Sequence, residues 1–213
     1  MTFVKICGLT CLDDALAAAE AGADLLGFVL VVQSPRYVAP AQAAEIIAAL
    51  RQRGVSTPCV GVVANRTVDE VRAIKSTCGF ALMQLHGGED PQVAAALYPD
   101  AIIARQVTGR DSLIRLATFR AFAFLLDAQG AERTATSRQT FDWQLVSQVL
   151  LPGRVIVAGG LCPENVGMAV CQAKPYGVDV SSGVERSPGH KDRDAIVRFI
   201  QAVHEADNAE DDD

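Results

Sequence analysis

The sequence is poor in several residues on which common functions depend. Aromatic residues make up 6% of it, with one tryptophan, and there are three histidines. No basic stripe with interleaved aromatics is present, so nucleic acid is not an expected partner. The six cysteines, Cys7, Cys11, Cys59, Cys78, Cys162 and Cys171, match no zinc spacing, and no metal is expected. No Gly-x-Gly-x-x-Gly follows the first expected strand and no Walker A run occurs, which argues against a dinucleotide or nucleotide-triphosphate sheet. The longest apolar stretch, 25–32, is far too short to span a bilayer, and no basic segment precedes an apolar one at the start. No signal peptide and no membrane partner are therefore expected, and free thiols suit a cytoplasmic setting.

What remains is the composition of one large domain: 213 residues, 50% of them hydrophobic and 21% charged. The net charge of −6 owes much to Asp207, Glu210, Asp211, Asp212 and Asp213 at the end. The domain is expected over 1–205, with 206–213 as an acidic, disordered tail.

Strands and helices alternate along the chain. Strands are expected over 4–7, 25–30, 58–63, 81–85, 101–107, 121–126, 155–158 and 177–180. Helices are expected over 12–21, 40–53, 67–76, 90–98, 111–118, 141–150, 163–172 and 192–205. Continuous apolar runs such as Leu25-Leu26-Gly27-Phe28-Val29-Leu30 suit strands buried on both faces of a parallel sheet. Thr67 with Glu70 forms a capping box, and Pro40 sits at a helical first turn. Eight pairs without a linker predict an α/β fold, a single-domain (β/α)8 TIM barrel.

In such a barrel the site lies at the C-terminal ends of the strands. Cys7 stands at the end of the first, where Val4-Lys5-Ile6-Cys7-Gly8 breaks at glycine; a lone cysteine is otherwise a small buried hydrophobe. Asp127 ends the sixth, after Phe124-Leu125-Leu126, either as a general acid or as a strand-ending ion-pair partner. Arg36 follows the second, as a fork for a carboxylate or as a solvated charge. Gly159 and Gly160 after the seventh strand and Ser181, Ser182 and Gly183 after the eighth let backbone amides approach a phosphate, or simply make turns. Together, the two adjacent loops favour phosphate. His86 is adjacent to this set, and Trp143 and Phe141 read as core or loop anchors.

These residues form a larger pattern. Lys5-Ile6-Cys7-Gly8-Leu9-Thr10, Ser34-Pro35-Arg36-Tyr37-Val38, Gln84-Leu85-His86-Gly87, Leu126-Asp127-Ala128, Phe141-Asp142-Trp143, Ala158-Gly159-Gly160-Leu161 and Val178-Asp179-Val180-Ser181-Ser182-Gly183-Val184-Glu185 occur in order. From about residue 3 to about residue 200 the chain resembles the phosphoribosylanthranilate isomerases. The resemblance implies a barrel without metal or organic cofactor that carries out an Amadori rearrangement in tryptophan biosynthesis. N-(5-phosphoribosyl)anthranilate becomes 1-(2-carboxyphenylamino)-1-deoxyribulose 5-phosphate, the third step from chorismate. It implies Asp127 as general acid, Cys7 as general base, Arg36 against the anthranilate carboxylate, and the loops at Gly159-Gly160 and Ser181 to Gly183 around the phosphate.

The chemistry of a thiol base makes a further demand. With an ordinary pKa of about 8.5, a thiol is only about 3% ionised at neutral pH. In strict alternation Lys5 shares the face of Cys7 and is expected within reach of it. The chain departs from the family where a Gly-Gly-Ser/Thr-Gly run usually precedes Phe-Asp-Trp: here Ala135-Thr136-Ser137-Arg138 stands. Two other readings remain at this point. One is a barrel that binds a sugar phosphate without turnover; the other is a histidine-pathway isomerase, which would carry an aspartate in place of Cys7. The expected partner is a small phosphosugar, and a monomer is favoured over a homodimer because no long exposed apolar helix face stands out.

Overall fold

The computed structural model describes residues 1–128, 142–147 and 151–211. The loop expected over 128–140 beyond its first residue, the Ala135 to Arg138 stretch, Phe141 and the helix end at Leu150 lie outside the described residues.

Eight parallel strands close into a barrel in chain order: β1 (Phe3–Ile6), β2 (Leu25–Val29), β3 (Cys59–Val63), β4 (Leu82–Leu85), β5 (Ala101–Val107), β6 (Ala123–Ala128), β7 (Arg154–Ala158) and β8 (Gly177–Val180). The ring is sealed where β1 pairs with β8, Lys5 opposite Asp179 and Ile6 opposite Val180. The intervening helices are α1 (Leu12–Glu20), α2 (Pro40–Gln52), α3 (Val68–Cys78), α4 (Pro91–Leu97), α5 (Arg110–Ile114), α6 (Gln144–Ser147), α7 (Val166–Ala173) and α8 (Arg193–Asp211).

The expected fold is therefore present, with local differences. The capping box at α3 forms as read: Thr67 Oγ1 accepts from Glu70 N, and Glu70 returns a carboxylate to Thr67 N at 2.9 Å. Asp127 lies inside β6 rather than beyond it. The helix expected over 111–118 is α5 followed by a 3-10 turn, Arg115–Thr118. Helix α7 starts at Val166, later than expected. Asn165 instead folds back, its Oδ1 accepting from Cys162 N and its Nδ2 donating to Gly160 O. A short antiparallel hairpin, β9 (Glu185–Ser187) with β10 (His190–Lys191), interrupts the passage from β8 to α8 and was not expected.

The segment expected as an acidic tail from 206 continues α8 as far as Asp211. Ala206 is buried in the core, and Asp207 accepts from Thr2 N at 2.6 Å and from Thr2 Oγ1 at 2.7 Å. Two hydrogen bonds to one carboxylate and an apolar contact hold this turn in place.

Side-chain alternation divides the apolar residues into two cores. Outward residues such as Val4, Ile6, Leu26, Phe28 and Val178 pack beneath the helices. Inward residues Leu25, Val60, Ile102, Ala104, Ala123, Leu125, Ile156 and Ala158 fill the barrel. Trp143 joins the outer core, as read from the sequence.

Candidate active site

Two steps further along the inward register the apolar filling gives way to polar groups. A cavity of about 280 Å³ opens at the C-terminal strand ends, and Cys7, Arg36, Gln84, His86, Asp127, Asp179 and Ser181 are among its walls. Larger clefts, about 780 Å³ beside α5 and 930 Å³ at the N-terminal strand ends, include none of the residues predicted from sequence. Chemistry, not size, distinguishes the smaller one.

Cys7 follows β1 directly; its amide donates to Val180 O at 2.8 Å, and the side chain is 6% exposed. Burial pushes its thiol above the ordinary value, while the charges of Lys5 and then Lys191 pull the other way. Lys5 is as close as the alternation predicted. Its side chain is 1% exposed, and its Nζ donates to Asp179 Oδ1 at 2.8 Å. Burial works against the Lys5 charge, but Asp179 and then Cys7 outweigh it and hold the ammonium above its ordinary pKa.

Asp127 points across the cavity from β6, with Oδ2 at 4.0 Å from His86 Nε2. Gln84 Nε2 lies 3.2 Å from His86 Nδ1. Gly159 packs directly against Asp127 and Ala128. It has a φ of +86°, and a β-carbon there would collide with the Asp127 carboxylate and the Ala128 amide, so only glycine fits.

Arg36 holds a carboxylate bidentately, as its type suggested, but the carboxylate belongs to the protein. Nε donates to Glu185 Oε1 at 2.8 Å and Nη2 to Glu185 Oε2 at 2.6 Å. This leaves the Nη1–Nη2 edge for a second carboxylate. Glu185 also receives Lys191 Nζ at 2.9 Å, and that ammonium donates to Ser181 O at 3.0 Å. Burial works to raise the Glu185 carboxyl, yet Arg36 and Lys191 hold it below its ordinary value. Lys191 is lowered as well, chiefly by its deep burial and also by the like charge of Arg36 on the same carboxylate.

The two glycine loops meet. Gly183 lies against the Leu161 carbonyl so closely that a β-carbon has no space. The Ser181 hydroxyl is buried without a hydrogen-bond partner among the described residues, as is Gln84 Oε1, and both residues line the cavity. Gly159, Gly160, Ser182 and Gly183 stand at its edge in the loops after β7 and β8 and are not among its walls.

Sequence reasoning assigned no role to Asp179, Glu185, Lys191 or Gln84. For Asp179 a signal existed. In a closed barrel the first and last strands pair, a buried lysine on β1 needs a carboxylate nearby, and β8 carries one at the matching position. Glu185 and Lys191 depend on a hairpin that nothing in their local pattern announced.

Comparison with known proteins places the chain. The model of the N-(5'-phosphoribosyl)anthranilate (PRA) isomerase family matches residues 4–202. An N-(5'-phosphoribosyl)anthranilate isomerase of Geobacter sp. (strain M21) is 44% identical over 200 residues, 94% of this chain and 97% of the relative. The crystal structure of phosphoribosyl anthranilate isomerase from Thermotoga maritima superposes with a TM-score of 0.85 at 35% identity, covering 96% of this chain and 100% of that one. Another solved isomerase of this name is in complex with reduced 1-(o-carboxyphenylamino)-1-deoxyribulose 5-phosphate, with a TM-score of 0.81 at 33% identity; the match covers 96% of this chain and 100% of that one.

Proposed function

The chain belongs to the N-(5'-phosphoribosyl)anthranilate isomerase family and is an isomerase of tryptophan biosynthesis, and from that premise we propose how its own residues carry the reaction. The observation that supports the scheme is the single cavity walled by Cys7, Asp127, Arg36 and Ser181.

Asp127 protonates the furanose oxygen of N-(5-phosphoribosyl)anthranilate. The C1–O bond breaks, and the nitrogen lone pair forms the C1=N bond of a Schiff base. The Cys7 thiolate takes the proton from C2. The C2–H electrons become the C1=C2 bond, and the iminium pair returns to nitrogen. The resulting enolamine tautomerises to the ketone, 1-(2-carboxyphenylamino)-1-deoxyribulose 5-phosphate. Asp127 is then one proton short and Cys7 one proton over, and one transfer through product or solvent restores both.

Arg36, oriented by Glu185, meets the anthranilate carboxylate through its Nη1–Nη2 edge. Gly159 and Gly160, with Ser181, Ser182 and Gly183, bind the phosphate; the contact of their loops at Leu161 and Gly183 supports this. The scheme uses neither metal nor organic cofactor. The reading is a monomeric enzyme acting on a phosphosugar, in a cytoplasmic setting that keeps its free cysteines reduced.

The test is the fall of anthranilate-type fluorescence with freshly generated substrate. Cys7→Ser and Asp127→Asn are each expected to keep the native circular dichroism and lose at least about a hundredfold in turnover, the scale of general acid–base contributions. Near-normal turnover in either variant overturns the scheme.

A further inference from the structure

The barrel is sealed over a buried charge. Lys5 on β1 and Asp179 on β8 are register partners across the closing seam, and their side chains meet at 2.8 Å with the lysine 1% exposed. A lysine inside a barrel is costly to bury, and apolar residues would fill the space at less expense in stability. Its neighbour suggests why it is there. Residue 27 on β2 is glycine, and a β-carbon on it would stand 2.8 Å from Cys7 Sγ and 3.1 Å from Lys5 Nζ. Thiol and ammonium are thus packed against the same stretch of bare backbone, while Asp179 also faces the cavity.

We propose that Lys5 and Asp179 are a positioning pair that governs the ionisation of Cys7. Lys5 supplies the fixed charge against which the thiolate forms, and Asp179 anchors that charge and tempers it. The proposal rests on the reading of Cys7 as base and deepens it. In the step itself, Lys5 keeps its proton throughout. The thiol first loses its proton to solvent, the thiolate stands beside the ammonium, and the proton from substrate C2 restores the thiol.

The charges around Cys7 do not all act alike. Lys5 from β1 and Lys191 from β10 favour the thiolate, and Asp179 from β8 opposes it. β2 contributes only Gly27 at this point. Arg36 lies over Gly8 but is neutralised by Glu185 from β9, and Asp127 and His86 stand on other walls of the cavity. The pair therefore has opposite signs on one thiol. Lys5→Met is expected to raise its apparent pKa. Asp179→Asn, which keeps the shape and a hydrogen bond to Lys5, is expected to lower it. A purely structural role moves both variants the same way.

The experiment is the pH dependence of Cys7 alkylation by iodoacetamide in the full chain, followed on the Cys7 peptide by mass spectrometry so that the other cysteines do not contribute. Near neutral pH, alkylation is expected on the order of tenfold slower in Lys5→Met, the equivalent of one pKa unit, and several-fold faster in Asp179→Asn. The pH profile of kcat should move with the thiol while KM changes little. Shifts of the same sign, or an Asp179→Asn variant with native near-ultraviolet circular dichroism and unaltered alkylation, overturn the proposal. Asp179→Asn is nearly isosteric, so it decides the matter even where Lys5→Met does not fold. The assay needs no substrate. The expected shifts in the two variants, together with no turnover by the unmutated chain, would defeat the isomerase scheme and leave the pair standing.

Discussion

At the scale of the residue, Gly27 shows how little room the proposed base has. A β-carbon there would lie 3.0 Å from the Cys7 α-carbon as well as against its sulfur, and backbone cannot swing aside as a side chain can. Gly27→Ala is therefore expected to cost about 1–3 kcal/mol, the range of overpacked cores. It should also reduce turnover more than it weakens binding, because the displaced atom is the thiol. Urea unfolding and steady-state kinetics on the same sample check both. Cys59 lacks the setting of Cys7: burial pushes it up to about 11, with only the Arg51 charge opposing. That Cys7 and Asp127 line the cavity was legible because each follows an apolar run near a strand end; Arg36, seven residues beyond β2, was legible only as a loop charge on the same side of the barrel. Lys5 was legible by alternation. What holds Lys5 was not, because its carboxylate lies 174 residues away and is found only by pairing the first strand with the last.

At the scale of the element, the hairpin β9–β10 explains how Arg36 comes to be oriented. Opposed register places Lys191 across from Glu185, and Thr10 Oγ1 donates to Gly189 O at 2.6 Å, tying the turn to the loop after β1. Glu185 thereby holds two cations, Arg36 and Lys191, with only 4% of its own side chain exposed. Glu185→Gln leaves Lys191 buried without its carboxylate and is expected to cost about 3–5 kcal/mol, as for broken buried pairs. With Arg36 no longer clamped, KM should rise. The carboxyl of Glu185 is lower in the folded chain than in the unfolded one, so its contribution is full above the ordinary carboxylate value and is lost as pH falls through the folded value. Denaturation midpoints measured from about pH 6 downward should fall less steeply in Glu185→Gln than in the unmutated protein. The sequence showed the strand before this hairpin and the helix after it. The hairpin itself is two and three residues per strand, below what side-chain alternation can signal.

At the scale of the whole molecule, the barrel was readable because its determinants are repetitive: apolar strand, polar turn, amphipathic helix, eight times over. Its ends were less so. Composition marked the acidic terminus as solvated, yet Asp207 caps the outset of the chain at Thr2. Asp207→Ala is expected to cost about 1–2 kcal/mol, since one carboxylate takes two hydrogen bonds, and to leave kcat unchanged. Thermal unfolding beside the fluorescence assay separates the two effects.

The seam between β1 and β8 has a consequence for how the chain matures. Lys5 and Cys7 are synthesised well before Asp179, which stands on the eighth strand of the barrel. A chain with seven strands in place would contain the thiol but leave its ammonium without a counter-ion, and Glu185 and Lys191 would still be missing. Such long-range pairing is also the slow part of folding. On the proposed scheme, catalytic competence would therefore be a certificate of completeness: the thiol would be tuned only when the last strand closes, and an unfinished barrel would keep an untuned thiol.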